Sequence, residues 1–142
     1  MLAVAATAQA ASLTRSEASL LRAVNATRAS FGLRPVRFDA TLERAARAHT
    51  GEMLRSGSFS HGDFRTRIIA SGARGPVLGE NLAWGVGSYA SAATIVREWL
   101  ASPEHRANLL RPGYRRIGIG IARGSFQGAG GATVVTADFG GF

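Results

Sequence analysis

The sequence predicts an α+β domain, a small antiparallel sheet with helices packed on its faces. Three observations predict it. The first half carries apolar residues at helical spacing, each run preceded by a capping residue. The chain closes on two alternating stretches, residues 114–122 and 132–139, joined by a Gly-rich loop, and sequential hairpin strands run antiparallel. The 142 residues are 46% hydrophobic and 18% charged, which suits one globular core and not a disordered chain. No repeat or linker marks a second domain, so residues 14–142 read as one unit.

Each element has its own signal. Thr14 and Glu17 form a capping box, and the helix they open sets Leu20, Val24, Thr27 and Phe31 on one stripe, with Leu21 beside it. Gly32 stands where a left-handed cap belongs. Residues 33–36 form an extended connector, because Pro35 disfavours helix at Arg34. Asp39 caps a second helix with Leu42, Ala45, Ala46, His49 and Met53 inward, ending near Gly57. After a turn at residues 59–62, Asp63 caps a short third helix with Ile68 and Ile69 inward, closed by Gly72. Residues 77–86 alternate as a strand through Leu82, Trp84 and Val86. A fourth helix carries Ala92, Ile95, Val96, Trp99 and Leu100. Ser102 at N-cap and Pro103 at the first helical position start a fifth, ending near Leu110. In the strand at residues 114–122, Ile117, Ile119 and Ile121 face one way, while Gly118 and Gly120 leave the other face bare for a close backbone or a ligand. Residues 124–131 read as a loose hairpin loop, and Val135, Ala137 and Phe139 share one side of the last strand.

Composition narrows the function. The chain has no cysteine, so disulfides, thiolate nucleophiles and cysteine metal sites are excluded. Net charge is +8, and all 17 basic residues are Arg. They are scattered between Arg15 and Arg123 without aromatic interleaving, which argues against specific nucleic-acid binding and for a solvated surface weakly attractive to anionic polymers. No stretch is apolar and long enough to span a membrane. Residues 1–13 read as a signal-peptide remnant or disordered leader, with a small-x-small end at Ala8, Gln9 and Ala10. The expected location is therefore secreted, periplasmic or cell envelope, and the expected state is a monomer.

His61, Glu80 and His105 each stand at the edge of an element, where functional side chains concentrate. Two imidazoles and a carboxylate suit an open divalent-metal site (metal: His61, Glu80, His105) or general acid–base work with Glu80 as base. Each residue is equally at home as a structural hydrogen-bonder. His49, on an apolar helix face, reads as core-lining, Glu98 as solvated, and Glu104 as a carboxylate favouring its helix dipole. Asn81 and Asn108 suit tying backbone groups together, and Trp84 and Trp99 read as core. Ser102 is explained as a cap; there is no nucleophile elbow and no phosphate loop.

Taken jointly and in order, Phe59-Ser60-His61, Gly79-Glu80-Asn81-Leu82-Ala83, Trp99, Ser102-Pro103-x-His105-Arg106-x-Asn108, Ile117-Gly118-Ile119-Gly120 and Asp138-Phe139-Gly140 resemble a bacterial CAP domain. This is the superfamily of cysteine-rich secretory, antigen 5 and pathogenesis-related proteins, also called the SCP domain. The resemblance covers roughly residues 14–142. It implies a three-layer α-β-α sandwich with a central antiparallel sheet. It also implies a cavity lined by two His and two acids that can hold zinc or another divalent cation. His61, Glu80 and His105 match three of those positions. Counting from Trp99 as the eukaryotic pattern does, the fourth falls on Ser102, and Glu104 is out of register. Three ligands imply modest metal affinity. Family activities span lipid or sterol binding, envelope roles and proteolysis. Two functions follow as expectations: a binding module whose cavity residues (His61, Glu80, His105, Ser102, Asn81, Asn108) take a cation, small ligand, lipid or envelope polymer, or a metal-assisted hydrolase. A third reading makes the same three residues a buried hydrogen-bond network.

Overall fold

The computed structural model describes residues 12–141. The expected signal remnant lies, but for its last two residues, outside the described residues. Five α-helices and four strands follow in the order α1 (Arg15–Ser30), β1 (Arg37–Phe38), α2 (Ala40–Ser56), α3 (Phe64–Ala70), β2 (Leu78–Val86), α4 (Ala92–Ala101), α5 (Pro103–Leu109), β3 (Arg116–Phe126) and β4 (Ala129–Gly140), with a 3₁₀ turn at Gly87–Ala90.

The sheet has the order β1-β3-β4-β2. It is mixed, which corrects the all-antiparallel expectation. β2–β4 and β3–β4 are antiparallel, but the connector before α2 adds β1 parallel to β3, pairing Arg37 with Arg116 and Phe38 with Ile117. The hairpin is also tighter than expected. β3 and β4 run on to Phe126 and Ala129, and a two-residue turn joins them. Its residues, Gln127 (φ 51°) and Gly128 (φ 79°), both take the left-handed conformation that matches strand twist.

The two sheet faces are covered by different helices. Ile117, Ile119, Val135, Ala137 and Phe139 pack against Leu20 and Val24 of α1 and Ile95, Val96 and Trp99 of α4. Each buried Val, Leu, Ile or Phe side chain among them contributes roughly 1.5–3 kcal/mol. On the opposite face, α2 lies directly on the sheet. A Cβ on Gly118 would collide with the Leu42–Glu43 backbone, and one on Gly120 would sit 2.5 Å from the Ala46 carbonyl oxygen. The bare face is thus filled by a helix backbone and not by a ligand. α3 joins this layer through Ile68, packed with Leu42 and Ala45.

The caps behave as expected at α1, α2 and α3, and Ser91, which the sequence reading did not name, caps α4. α1 ends in a Schellman motif, with Leu33 N–H bonded to the Arg28 carbonyl and Gly32 at φ 72°. Three side chains depart from expectation. Phe31, the last of the α1 stripe, is exposed and lies under the Arg106 guanidinium at 5.1 Å. Ile69 is exposed, leaving Ile68 alone inward, because a seven-residue helix has one buried stripe. Ser102 occupies the N-cap position of α5 without a side-chain cap bond.

Candidate functional site

β2 is the free edge of the sheet, and its outer carbonyls are engaged by the helices beside it. Trp99 Nε1 donates to the Leu82 carbonyl at 2.9 Å, and Asn108 Nδ2 to the Glu80 carbonyl at 3.0 Å. Asn81 Nδ2 donates to the His105 carbonyl at 2.9 Å, and the Tyr114 hydroxyl holds Asn108 Oδ1. Asn81 and Asn108 are therefore the ties that seat α5 against β2, as their residue type suggested. Trp99 and His49 are buried core, the latter donating through Nε2 to the Ser60 carbonyl.

Glu80 is the chemical centre. Its side chain is 1% exposed and both oxygens are taken. Arg67 Nη2 reaches Oε1 at 3.0 Å and Oε2 at 2.8 Å, and His61 Nδ1 donates to Oε1 at 2.8 Å. The same Arg67 nitrogen bonds the His61 carbonyl at 3.0 Å, so α3 and the turn before it close over the carboxylate together. Burial pushes the Glu80 carboxyl up. Hydrogen bonds from His61, Asp138 and Arg67, with the Arg67 charge, outweigh that and hold it below its ordinary value.

Asp138 stands directly across the strand pair from Glu80 and is fully buried. No N–H or O–H donor among the described residues reaches either of its oxygens. A buried carboxylate without donors cannot stay charged. Burial, then the hydrogen bond and charge of Glu80, push its carboxyl far above the usual range against the opposing Arg67 charge. The neutral form of Asp138 is favoured beside the charged Glu80. Sequence reasoning noted the Asp138-Phe139-Gly140 ending but assigned no role to either Asp138 or Arg67. The available signal was alternation: with Val135, Ala137 and Phe139 on one side, Asp138 had to lie on the helix-covered other.

His105 is held apart from this cluster. It is half-buried, and no hydrogen bond joins its ring to Glu80 or His61 among the described residues. Burial, then the charge of nearby His61, lowers its pKa, with Glu104 opposing. With Ser102 it lines a groove of about 340 Å³ that also includes Phe59, Trp84, Tyr89 and the exposed Glu98. Tyr89 is 76% exposed and Trp84 is 37% exposed, so Trp84 is not the core residue that its type suggested. Phe59 and Trp84 meet Phe126 edge-on, at 6.4 and 5.4 Å between ring centroids. The expected cavity is thus two places: a buried His61–Glu80–Arg67–Asp138 cluster, and an open aromatic groove with Ser102 and His105.

The expected metal set does not fit. No group of three His, Cys, Asp or Glu side chains among the described residues is placed to hold an ion. The Glu80 oxygens that would face the metal face a guanidinium instead.

Comparison with known proteins agrees with this architecture. The model of the CAP, or cysteine-rich secretory protein, family matches residues 21–139. The uncharacterised protein YkwD of Bacillus subtilis is 30% identical over 119 residues, which are 80% of this chain and 45% of that protein. The chain therefore spans less than half the length of this relative. An extracellular SCP-domain protein of Bacillus anthracis superposes with a TM-score of 0.71 at 21% identity, over 91% of this chain and 44% of that one. An outer surface protein of Borrelia burgdorferi gives 0.69 at 20% identity, over 90% of this chain and 95% of that one. The chain is a bacterial member of the CAP family, with helical layers on both faces of its sheet and none of the cysteines in the family name.

Proposed function

We propose that this CAP domain is a non-catalytic binding module of the cell exterior. Its ligand lies in the groove of Phe59, Trp84, Tyr89, Ser102 and His105, and the domain acts as a monomer. One observation carries the reading: Glu80, the carboxylate best placed to be a general base, has both oxygens bonded to Arg67 and His61 and is held below its ordinary pKa. A base so committed is poorly matched to proton abstraction near neutral pH. The hydrolase alternative asks that same carboxylate to activate water. The groove offers a different chemistry. Exposed Trp84 and Tyr89 present flat apolar faces, and Ser102 and His105 add hydrogen-bonding groups beside them. Such a surface suits stacking of an envelope-polymer segment or a small amphipathic ligand. The relatives named as extracellular or outer-surface proteins favour the exterior location.

The reporter is built in, because Trp84 is exposed and the second tryptophan, Trp99, is buried. The domain is titrated with soluble cell-wall glycan–peptide fragments and, separately, with a single-chain lipid below its micellar concentration. Tryptophan emission is followed in wild type, Trp84→Phe and Tyr89→Ala. A saturable change that Trp84→Phe removes and Tyr89→Ala weakens at least about tenfold, with unchanged circular dichroism, is the expected result. A flat titration with both ligand classes sinks the groove reading, and turnover of the fragments by wild type but not by Glu80→Gln would restore the hydrolase.

A further inference from the structure

We propose that the arginine-lined pocket beside β1 is a docking site for a phosphodiester polymer of the cell envelope. It is separate from the aromatic groove, because the sheet order β1-β3-β4-β2 puts the pocket at one edge of the sheet and the groove at the other.

Arg34, Pro35, Arg37, Arg115 and Arg116 line this pocket of about 340 Å³. Of its four guanidinium groups, only that of Arg116 has a carboxylate partner among the described residues, Asp39 at 3.1 Å. The Arg116 fork is further occupied by the Arg74 and Gly141 carbonyls. Arg34 and Arg37 are exposed. The backbone beneath them is fixed: Arg37 pairs with Arg116 across β1 and β3, and the Arg34 carbonyl accepts from Arg28 Nε at 2.9 Å. Arg115 Nη1 donates to the Pro112 and Tyr114 carbonyls at 2.6 and 3.0 Å, which steadies its fork in the pocket wall. Behind that wall Arg28 is fully buried, bonded to the Arg34, Leu109 and Arg111 carbonyls, with no carboxylate partner among the described residues. Burial, then the charge of Arg115, lowers its pKa, with Tyr114 opposing. Positive charge is therefore packed at this edge without the anions that would balance it, and an anion held by Arg115 would relieve the repulsion.

Charge complementarity selects a polyanion, and the lining selects its kind. No aromatic ring lines the pocket, so it lacks the platform on which nucleic-acid bases stack. Arg presents a planar fork that grips phosphate through paired N–H groups. The three guanidiniums without a carboxylate partner come from different places: Arg34 from the connector after α1, Arg37 from β1 and Arg115 from the turn before β3. A tetrahedral phosphodiester turns its two charged oxygens in different directions and can meet forks from more than one element, whereas the two oxygens of a carboxylate lie in one plane. Arg34, Pro35 and Arg37 are exposed, so a chain can cross the pocket without entering the core. A polymer that crosses it also gains affinity from each further phosphate neutralised, through release of counterions.

The test is fluorescence anisotropy of end-labelled, lipid-free poly(glycerol phosphate), titrated at several salt concentrations. The proteins are wild type, Arg34→Ala with Arg37→Ala, Arg115→Gln, and Arg15→Ala with Arg22→Ala, which removes the same charge as the first pair from another place. Circular dichroism checks the fold of each. Polyglutamate and oligothymidylate of matched charge are titrated in parallel. The first pair is expected to weaken binding at least about tenfold and to lower the log–log salt slope by about 1–2, Arg115→Gln to weaken it at least about threefold, and the Arg15 and Arg22 pair to stay within about twofold of wild type. Wild type should bind the phosphate polymer more tightly than either competitor. Equal losses in the two double variants would reduce the effect to net charge and overturn the inference. So would a wild type that does not bind the phosphate polymer, or that binds polyglutamate as tightly. Tighter binding of oligothymidylate would overturn it in favour of nucleic acid. If the first pair fails to fold, Arg34→Gln with Arg37→Gln takes its place. None of these outcomes touches the Trp84 emission test, so the two readings fail separately.

Discussion

Glu80 is deeply buried, yet the bonds from His61 and Arg67 favour its charged form, whereas burial and the Glu80 charge favour the neutral form of Asp138. The two acids should therefore be unequal under mutation. Glu80→Gln leaves the half-buried Arg67 without its anion, and breaking a buried pair from one side typically costs about 3–5 kcal/mol. Asp138→Asn replaces a neutral acid with a neutral amide of the same shape, so its cost should stay within about 1 kcal/mol. Urea unfolding of the two variants beside wild type checks the ordering; equal destabilisation would mean that Asp138 is ionised in the folded protein. The same residue scale explains Gly79 before Glu80, where any Cβ would collide with the Tyr114 hydroxyl and come 2.8 Å from Asn108 Oδ1.

At the scale of elements, α2 governs the sheet it covers. Its Glu43 is fully buried and accepts from the Ile119 N–H at 2.6 Å, beyond the point where two-residue β1 stops pairing with β3. Arg47, one turn on, binds Glu17 at 2.6 Å and Glu43 at 3.1 Å, so the start of α1 is clamped to α2. Burial, opposed by the Ile119 hydrogen bond and reinforced by Glu17, pushes the Glu43 carboxyl from 4.5 to about 7. A group whose folded pKa is raised contributes stability below its unfolded pKa and loses it as pH climbs through the folded one. Stability should therefore fall by about 1–3 kcal/mol between pH 4.5 and 7 from this group, and level off above. Glu17 is shifted the other way: burial raises its pKa, but the bonds from Arg47 and Thr14 win, so its contribution is lost only on further acidification. Denaturation midpoints at pH 5, 6, 7 and 8 test this, and Glu43→Gln should flatten the slope; an unchanged slope assigns it to another group.

Across the whole molecule, four of the 17 arginines gather at one place. Arg34, Arg37, Arg115 and Arg116 line one pocket of about 340 Å³ beside the β1–β3 pair. Arg116 is engaged by Asp39 at 3.1 Å, while Arg34 and Arg37 are exposed. This adds a local positive patch at one end of the sheet to a chain with net charge +8. Arg34→Ala with Arg37→Ala should elute from an anionic polymer matrix at clearly lower salt than Arg15→Ala with Arg22→Ala, which removes the same charge elsewhere. Equal elution would reduce the effect to net charge alone.

The sequence by itself determined the helices, their caps, the long strands and the family, because capping chemistry and hydrophobic period are local and are set within a few residues. It located His61, Glu80 and His105 at element edges and Ser102 at a helix cap, it named Asn81 and Asn108 as backbone ties, and it saw that Gly118 and Gly120 invite a close approach. Three things were decided only in the tertiary structure. A two-residue parallel strand at Arg37–Phe38 has no periodicity to reveal it. The exposure of Trp84 depends on what fails to cover the sheet edge. The clamp on Glu80 joins residue 67 on α3 to residue 138 on β4 through a strand register that is fixed by packing, not by neighbours in the chain. A side chain's partners across a sheet are set by register and burial, and a one-residue slip would have put Asp138 on the opposite face from Glu80.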